Sequence, residues 1–548
     1  MAKTIAEELA KSQQAISVSQ FFERNRHLLG FDNPRRALLT TIKEAVDNSL
    51  DACQEAKVLP SIKVKIKQIS EERYTVMVQD NGPGIVRKQI PHIFARLLYG
   101  SKFFKLAQTR GQQGIGISAA VLYAQLTTGK AAKIISKISK SKPAHYYELR
   151  IDTKVNEPII LTDKQISFDQ DHGTSVELEM EAIYQKGARG VDEYLKQTVI
   201  ANPHAELIFT DPEGKTTTYP RATDELPAEP KEIKPHPHGI ELGIFISMLE
   251  LTKSKTLSAF LTRDFIRVSS ATVKKVCAAI DIKPATKPKE IDRELAEKIY
   301  KEIQSTKLIA PPTNCLSPIG EDALQKSFEK EVPAEFFAST IRPAAVYRGN
   351  PFQIEASVAY GGQLSMEDSL KLLRFANRVP LQYQQSACAI TKSVIETNWR
   401  NYGLSQSKGA LPSGPVVLAI HMASVWVPFT SESKEAVAHY PEIIKQIKLA
   451  IQEVGRKLAS YIRRTVRVKE QKERLDLFEK YIPEISTSVS KLTKEKRDTI
   501  TAKLNKTLKR SLKELIPEEE EEKPKKKKTV KKKTKKDGKK EKQTTLKS

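Results

Sequence analysis

The chain has 548 residues, 39% hydrophobic and 29% charged, with a formal net charge of +25. No apolar run approaches the ~20 residues that cross a bilayer, so no membrane span is expected. The four cysteines (Cys53, Cys277, Cys315, Cys388) are far apart and form no Cys-x-x-Cys pair, which argues against a disulfide framework or a zinc site and for a reducing compartment.

The length allows several domains of ~100–200 residues. The N-terminus, MAKTIAEELAKSQQ, is polar and carries acids, unlike a targeting peptide, so a cytoplasmic protein is expected. Residues 1–225 mix helix with strand. The stretch EAVDNSLDA, 44–52, sets Glu44, Asp47, Asn48 and Asp51 in one sector of a helix, with Val46 and Leu50 opposite. A solvated face is the ordinary meaning of such a stripe. YTVMVQ, 74–79, alternates as a half-buried strand does. DNGPGI, 80–85, follows it directly. Glycines there let the backbone approach a flat ligand, and a carboxylate at Asp80 can accept a hydrogen bond from an exocyclic amine. RGQQGIGIS, 110–118, is a glycine-rich loop ahead of a helix stopped by Gly129, an arrangement that presents N–H groups to phosphate. Ser101 and Lys102 lie just before it. HGTSVEL, 172–178, leads into another alternating strand, where Thr174 could hydrogen-bond near Asp80. No Gly-x4-Gly-Lys-Ser/Thr loop occurs, so a nucleotide must be held by another design.

Pro and charge accumulate over 220–238, as in a linker. Residues 239–306 are helical in pattern. Mixed patterning returns over 323–430, with strand-like FQIEASVAY and PVVLAIHMASVWVPF. A long helix is expected from Pro441, on Ile444, Ile447, Ile451, Val454, Leu458 and Ile462, with further helix to about Leu515. Residues 517–548 are of low complexity and expected to be disordered. From Lys523 onward, fourteen lysines stand against Asp537 and Glu541, which suggests a polyanionic partner such as nucleic acid.

The order and spacing of EAVDNSLDA, DNGPGI, GQQGIG and HGTSVEL resemble the GHKL ATPases, which include gyrase B subunits, MutL-type repair proteins, heat-shock chaperones and histidine kinases. RFANRVPL, 374–381, resembles the transducer domain of the gyrase-like and MutL-like members. The helical insert, with LSAFLTRDFIRVSSATVKKVCAAIDIKP, resembles the helix–two-turns–helix module found in the B subunits of archaeal topoisomerase VI, a type IIB topoisomerase. The resemblance implies an α/β multidomain fold. It places a GHKL-type (Bergerat) α/β sandwich with an N-terminal strap at 1–228 and the insert at 229–308. An α/β transducer with a long C-terminal helix follows at 309–470, then a helical region contacting an A subunit at 471–516 and a disordered basic tail at 517–548.

It also implies an ATP-driven enzyme. Glu44 would be the general base and Asn48 would hold Mg²⁺. Lys434, in FTSESKEAVAHY, would reach the γ-phosphate. ATP would be bound by Asn48, Asp80, Gly82, Gly84, Ser101, Lys102, Arg110, Gly111, Gln112, Gln113, Gly114, Ile115, Gly116, Ile117, Thr174 and Lys434, with Asp47 and Asp51 supporting. The implied partners are a DNA-cutting A subunit in an A₂B₂ assembly, a second B subunit in an ATP-dependent dimer, and double-stranded DNA, with no membrane. No Toprim-type Asp-x-Asp is expected in this chain. A MutL-like repair clamp is the alternative of the same family, and a non-catalytic ATP-binding scaffold is the one from another class.

Overall fold

The computed structural model describes residues 13, 15–101, 105–111, 114–187, 189–431 and 433–515, with side chains to 510. Lys102, Gln112, Gln113, most of the strap's first 14 residues and the lysine tail lie outside the described residues. The chain divides into two compact units, 1–461 and 462–548.

The first unit opens with an eight-stranded sheet made of β1 (Ser61–Ser70), β2 (Arg73–Gln79), β3 (Ala132–Lys137), β4 (Ala144–Asp152), β5 (Glu157–Ile166), β6 (Gly173–Glu181), β7 (Glu206–Thr210) and β8 (Thr216–Tyr219). Their order is β5-β4-β3-β6-β2-β1-β7-β8, antiparallel except for β1 beside β7. The alternation of YTVMVQ turns Tyr74, Val76 and Val78 inward, as a period of two requires. Among the described residues, five α-helices accompany this sheet: α1 (Val18–Arg24), α2 (Pro34–Glu55), α3 (Ile90–Ala95), α4 (Gly116–Thr128) and α5 (Val191–Ala201). α2 starts where Asn33 accepts the Arg36 N–H at 2.9 Å and Pro34 takes the first helical position. Its Leu38, Ile42, Val46 and Leu50 share one core with Ala120 and Val121 of α4 and the inward residues of β2. α4 ends at Gly129, whose φ of 68° suits glycine.

Residues 220–238 carry little regular structure, yet they are not a free linker. Lys231 N–H donates to Cys315 O, Ile233 N–H to Leu106 O, and Pro235 O accepts from Ile266 N–H. Ile233 is buried against Leu316 and Val425, because an apolar side chain within the proline-rich run gains by leaving water. Four helices follow: α6 (Leu242–Leu251), α7 (Leu257–Asp264), α8 (Ser270–Ala279) and α9 (Arg293–Ser305). Thr256, Ser269 and Asp292 cap the last three. Phe245, Phe260, Phe265, Val273 and Ile299 give this group a core of its own.

After α10 (Glu321–Glu331) comes a second sheet of β9 (Phe336–Ile341), β10 (Ala345–Tyr347), β11 (Asn350–Tyr360), β12 (Lys371–Ala376), β13 (Val379–Pro380) and β14 (Val416–Ser424). Its order is β10-β11-β14-β12-β13, with β9 on β11. Every residue of β14 is buried, the mark of a strand covered on both faces. Leu324 and Phe328 of α10 pack there with Ile200 and Ala201 of α5, so a helix that accompanies the first sheet enters the core of the second. A short helix, α11 (Ala389–Ile395), precedes β14 in the chain, and α12 (Pro441–Thr493) follows it. In this unit α12 buries Ile443, Ile447, Ile451, Val454 and Leu458, and Tyr461 stacks on Phe336 at 4.4 Å. The inner residue of the first turn is thus Ile443, not Ile444, which is half-buried. In the second unit, α12 runs on to Thr493 and α13 (Arg497–Leu515) follows a turn at Lys494. Ile482, Ser486, Ile500 and Leu508 are buried there.

Candidate nucleotide-binding site

The polar sector of α2 does not behave as one face. Glu44 and Asn48, one turn apart, line a cavity of about 640 Å³ together with Asp80, Gly84, Ser101, Gly111, Gly114, Ile115, Gly116, Ile117, Thr174 and Lys434. This is the size of a pocket for a small organic ligand. Asp47 and Asp51, on the next stripe round, do not line it. Asp47 accepts a hydrogen bond from the Tyr194 hydroxyl at 3.3 Å. Asp51 pairs with Arg110 at 2.6 Å, both side chains buried. Of the four, only Glu44 and Asn48 line the cavity, because Asp47 lies about 100° round the helix from Asn48 and Asp51 lies a further turn along the axis.

Arg110 also departs from its expected place. Its guanidinium donates to Asp51, to Gln54 at 3.0 Å and to Asn202 at 2.6 Å, and does not line the main cavity. Gly82 likewise stands behind the cavity wall. Its N–H donates to Asp80 Oδ1 at 2.9 Å, and a Cβ there would press on that oxygen and on Ala52.

Asp80 ends β2 at the floor of the cavity. Oδ1 accepts from Gly82 N–H and Thr174 N–H, and Oδ2 from the Ser49 hydroxyl at 2.9 Å. Thr174 therefore meets Asp80 through its backbone, while its hydroxyl pairs with Ser136. Burial raises the Asp80 pKa above the ordinary carboxylate value, and the three donors oppose it. One edge of Oδ2 remains for a donor from the cavity, as an exocyclic amine would be.

α4 begins at Gly116 without a side-chain cap, so its first N–H groups have no intrahelical or capping partner. A methyl on Gly116 would overlap the Glu44 carboxylate, which makes this glycine a requirement of Glu44's position. Among the described residues, the side chains of Glu44, Asn48 and Lys434 make no hydrogen bond or ion pair, so their polar atoms are available to a ligand. The Asn48 side-chain oxygen is a hard donor, and among the described residues no group of three His, Cys, Asp or Glu side chains is placed to hold a metal ion. A single such donor fits Mg²⁺, which would take water and phosphate oxygens for its other positions. The chain does contain one Asp-x-Asp, Asp169 and Asp171, contrary to expectation. It lies in the exposed turn before β6 and belongs to no such group.

Lys434 comes from the loop after β14, with a φ of 54°, and enters the cavity opposite α2. Burial lowers its pKa, and Glu44 opposes this. The next residue, Glu435, binds Arg36 of α2 at 2.5 Å, and Arg36 lies over the Tyr383 ring. Ser49, Lys43, Tyr99, Tyr383 and the Arg36–Glu435 pair were not legible as site residues. Only Ser49 had a local signal, since it sits one position from Asn48 in the same motif.

Burial pushes Asp47 up to about 7, with Lys43 and Arg110 opposing and Glu44 and Asp51 adding. A carboxyl raised in the folded state binds more protons there than in the unfolded chain between about pH 4 and its folded pKa. Its contribution to stability is therefore present at low pH and lost as pH rises through about 7. Asp47→Asn is expected to lose less melting temperature than the unmodified chain between about pH 5 and about pH 8. Equal losses in both proteins would mean that Asp47 is ionised when folded.

The family of the chain follows from comparison with known proteins. Residues 33–181 match the family described as histidine kinase-, DNA gyrase B- and HSP90-like ATPase. Residues 311–474 match the topoisomerase VI B subunit transducer. The chain is 51% identical over 491 residues to the B subunit of type 2 DNA topoisomerase 6 from Methanococcoides burtonii, covering 89% of this chain and 79% of that protein. It is 46% identical over 485 residues to the corresponding protein of Archaeoglobus fulgidus, covering 88% and 80%. Among solved structures, the gyrase B subunit of Myxococcus xanthus aligns at a TM-score of 0.40 and 9% identity, over 80% of this chain and 95% of that one.

Proposed function

The chain belongs to the family of type 2 DNA topoisomerase 6 B subunits, and from that premise we propose that it is the ATP-hydrolysing subunit of a type IIB topoisomerase. The observation that carries this is one cavity where Glu44 and Asn48 of α2, Asp80 of the first sheet and Lys434 of the second meet. Asp80 accepts the adenine amine. The free N–H groups at the start of α4 hold phosphate oxygens. Glu44 orients the attacking water and takes its proton. Lys434 places its ammonium against the γ-phosphate. Asn48 would hold Mg²⁺ through its side-chain oxygen, and the ion would supply positive charge against the phosphate oxygens.

The division at 228, 308, 470 and 516 is proposed to separate ATPase domain, helical insert, transducer, A-subunit-binding helices and basic tail. In this reading two copies dimerise on ATP within an A₂B₂ assembly and close a clamp. The A subunit opens one duplex for passage of another. The clamp equilibrium moves only by the difference in ATP contacts between open and closed forms, and Lys434 is the contact that links nucleotide to the second sheet.

Decatenation of interlinked DNA circles tests this. Unlinking should need this chain, its A-subunit partner and ATP together. ATP hydrolysis without unlinking, in the presence of a folded partner, would move the assignment to a repair-type clamp. Truncation after Pro517 should leave ATP hydrolysis unchanged and flatten the salt dependence of DNA binding, because fewer phosphates are neutralised. An unchanged slope would leave the lysines no part in DNA contact.

A further inference from the structure

A second physical link joins the nucleotide loop to the transducer sheet, apart from Lys434. β12 and β13 are connected by two residues, Asn377 and Arg378, with Ala376 opposite Val379. Both have positive φ, 47° and 67°. A two-residue hairpin of that kind favours Asn followed by Gly, because the second position is costly for any side chain. This chain carries arginine there. A non-glycine residue persists in such a conformation only where its surroundings over-determine it.

The surroundings are the root of the glycine-rich loop. The Asn377 amide donates to Thr109 O at 3.1 Å and to Ser424 O at 2.9 Å, and accepts from Ser424 N–H. Arg378 O accepts from the Asn202 amide at 3.1 Å, and Asn202 Oδ1 holds Arg110. Arg110 in turn binds Asp51 and Gln54 of α2. On its other side, Arg378 N–H donates to His421 Nε2 at 2.9 Å. That leaves the His421 proton on Nδ1, facing Glu355 at 2.6 Å. Glu355 also accepts the N–H groups of Ile319 and Gly320. The Arg378 guanidinium clamps Ser317 and Pro318. Arg110, Asn202, Asn377, Arg378, Glu355 and His421 are each at most 7% exposed, so none of these bonds is exchanged for water without opening the interface.

We propose that the Asn377–Arg378 turn is a positioning element that transmits movement of the loop at Thr109–Arg110 to β14 and to the segment 317–320. The proposal rests on the topoisomerase reading above. It assigns the two residues no contact with ATP. They act through Arg110 and Thr109, where the chain leaves the cavity wall.

The test uses the full chain with its A-subunit partner. Arg378→Gly restores the preferred Asn-Gly turn while removing the guanidinium clamp. Asn377→Gly tolerates the left-handed backbone while removing the Thr109 bridge. Each variant is expected to keep the affinity for a non-hydrolysable ATP analogue, measured by calorimetry, and to lower circles unlinked per ATP hydrolysed by about fivefold or more. A wild-type ratio in a folded variant that binds the analogue normally overturns the relay. Should Arg378→Gly melt early, Asn377→Gly alone decides. Failure of the unmodified enzyme to unlink circles with ATP would overturn the underlying function instead.

Discussion

Replacing Glu44 with alanine is expected to lower ATP turnover by ~10²–10⁴ while leaving ATP binding in place. The carboxylate lines the cavity, has no protein partner among the described residues and is positioned by the absence of a side chain at Gly116. A group that abstracts a proton from water must be within hydrogen-bond reach of it and not already committed elsewhere. Binding is expected to survive because the proposed adenine and phosphate contacts arise from other elements, the end of β2 and the start of α4. Steady-state hydrolysis and calorimetry with the same preparation separate the two quantities. Turnover equal to that of the unmodified chain would remove Glu44 as the base.

Changing Asp80 to asparagine is expected to weaken ATP binding by roughly 10–100-fold, equivalent to the ~1.5–3 kcal/mol of a hydrogen bond to a charged group. Oδ1 is committed to Gly82 N–H and Thr174 N–H, so an asparagine keeps its oxygen there. Its NH₂ then takes the place of Oδ2. Ser49 can accommodate the swap by accepting instead of donating. The adenine amine cannot, and two donors would face each other. The same swap should narrow the preference for adenine over guanine, whose carbonyl accepts at that ring position. Titration with ATP and GTP analogues measures both effects. Equal ATP affinity in the two proteins would place the base elsewhere.

These expectations concern residues that local pattern marked early. EAVDNSLDA reads as an amphipathic helix because its apolar and polar residues separate at about 100° per residue. The half-buried alternation of YTVMVQ fixes Asp80 at the end of a strand. Gly129 stops a helix for a reason internal to that residue. Such signals depend on neighbours a few positions apart, so they survive in the sequence.

Partners far apart in the chain, from 59 positions for Arg110 and Asp51 to 399 for Arg36 and Glu435, leave no such signal. Nothing near Arg110 announces that its guanidinium would be held by Asp51 and Asn202 behind the cavity wall. Nothing near Arg36 announces Glu435. The proline-rich run 220–238 has a linker's composition, yet its N–H groups find Cys315 O and Leu106 O. Composition governs whether a segment can fold alone, and the neighbours it meets govern whether it stays free.

Periodicity, glycine placement and charge alone thus located the helix of Glu44 and Asn48, the strand ending in Asp80, the loop before α4 and the basic tail, since each follows from short-range geometry. Folding decided that Asp47 and Asp51 are buried apart from Glu44, that Thr174 meets Asp80 through its backbone, and that an Asn-Arg turn holds the root of the nucleotide loop. Those outcomes depend on which buried polar groups come within hydrogen-bond reach, and that is settled only when α5 packs into the core of the second sheet and distant segments meet.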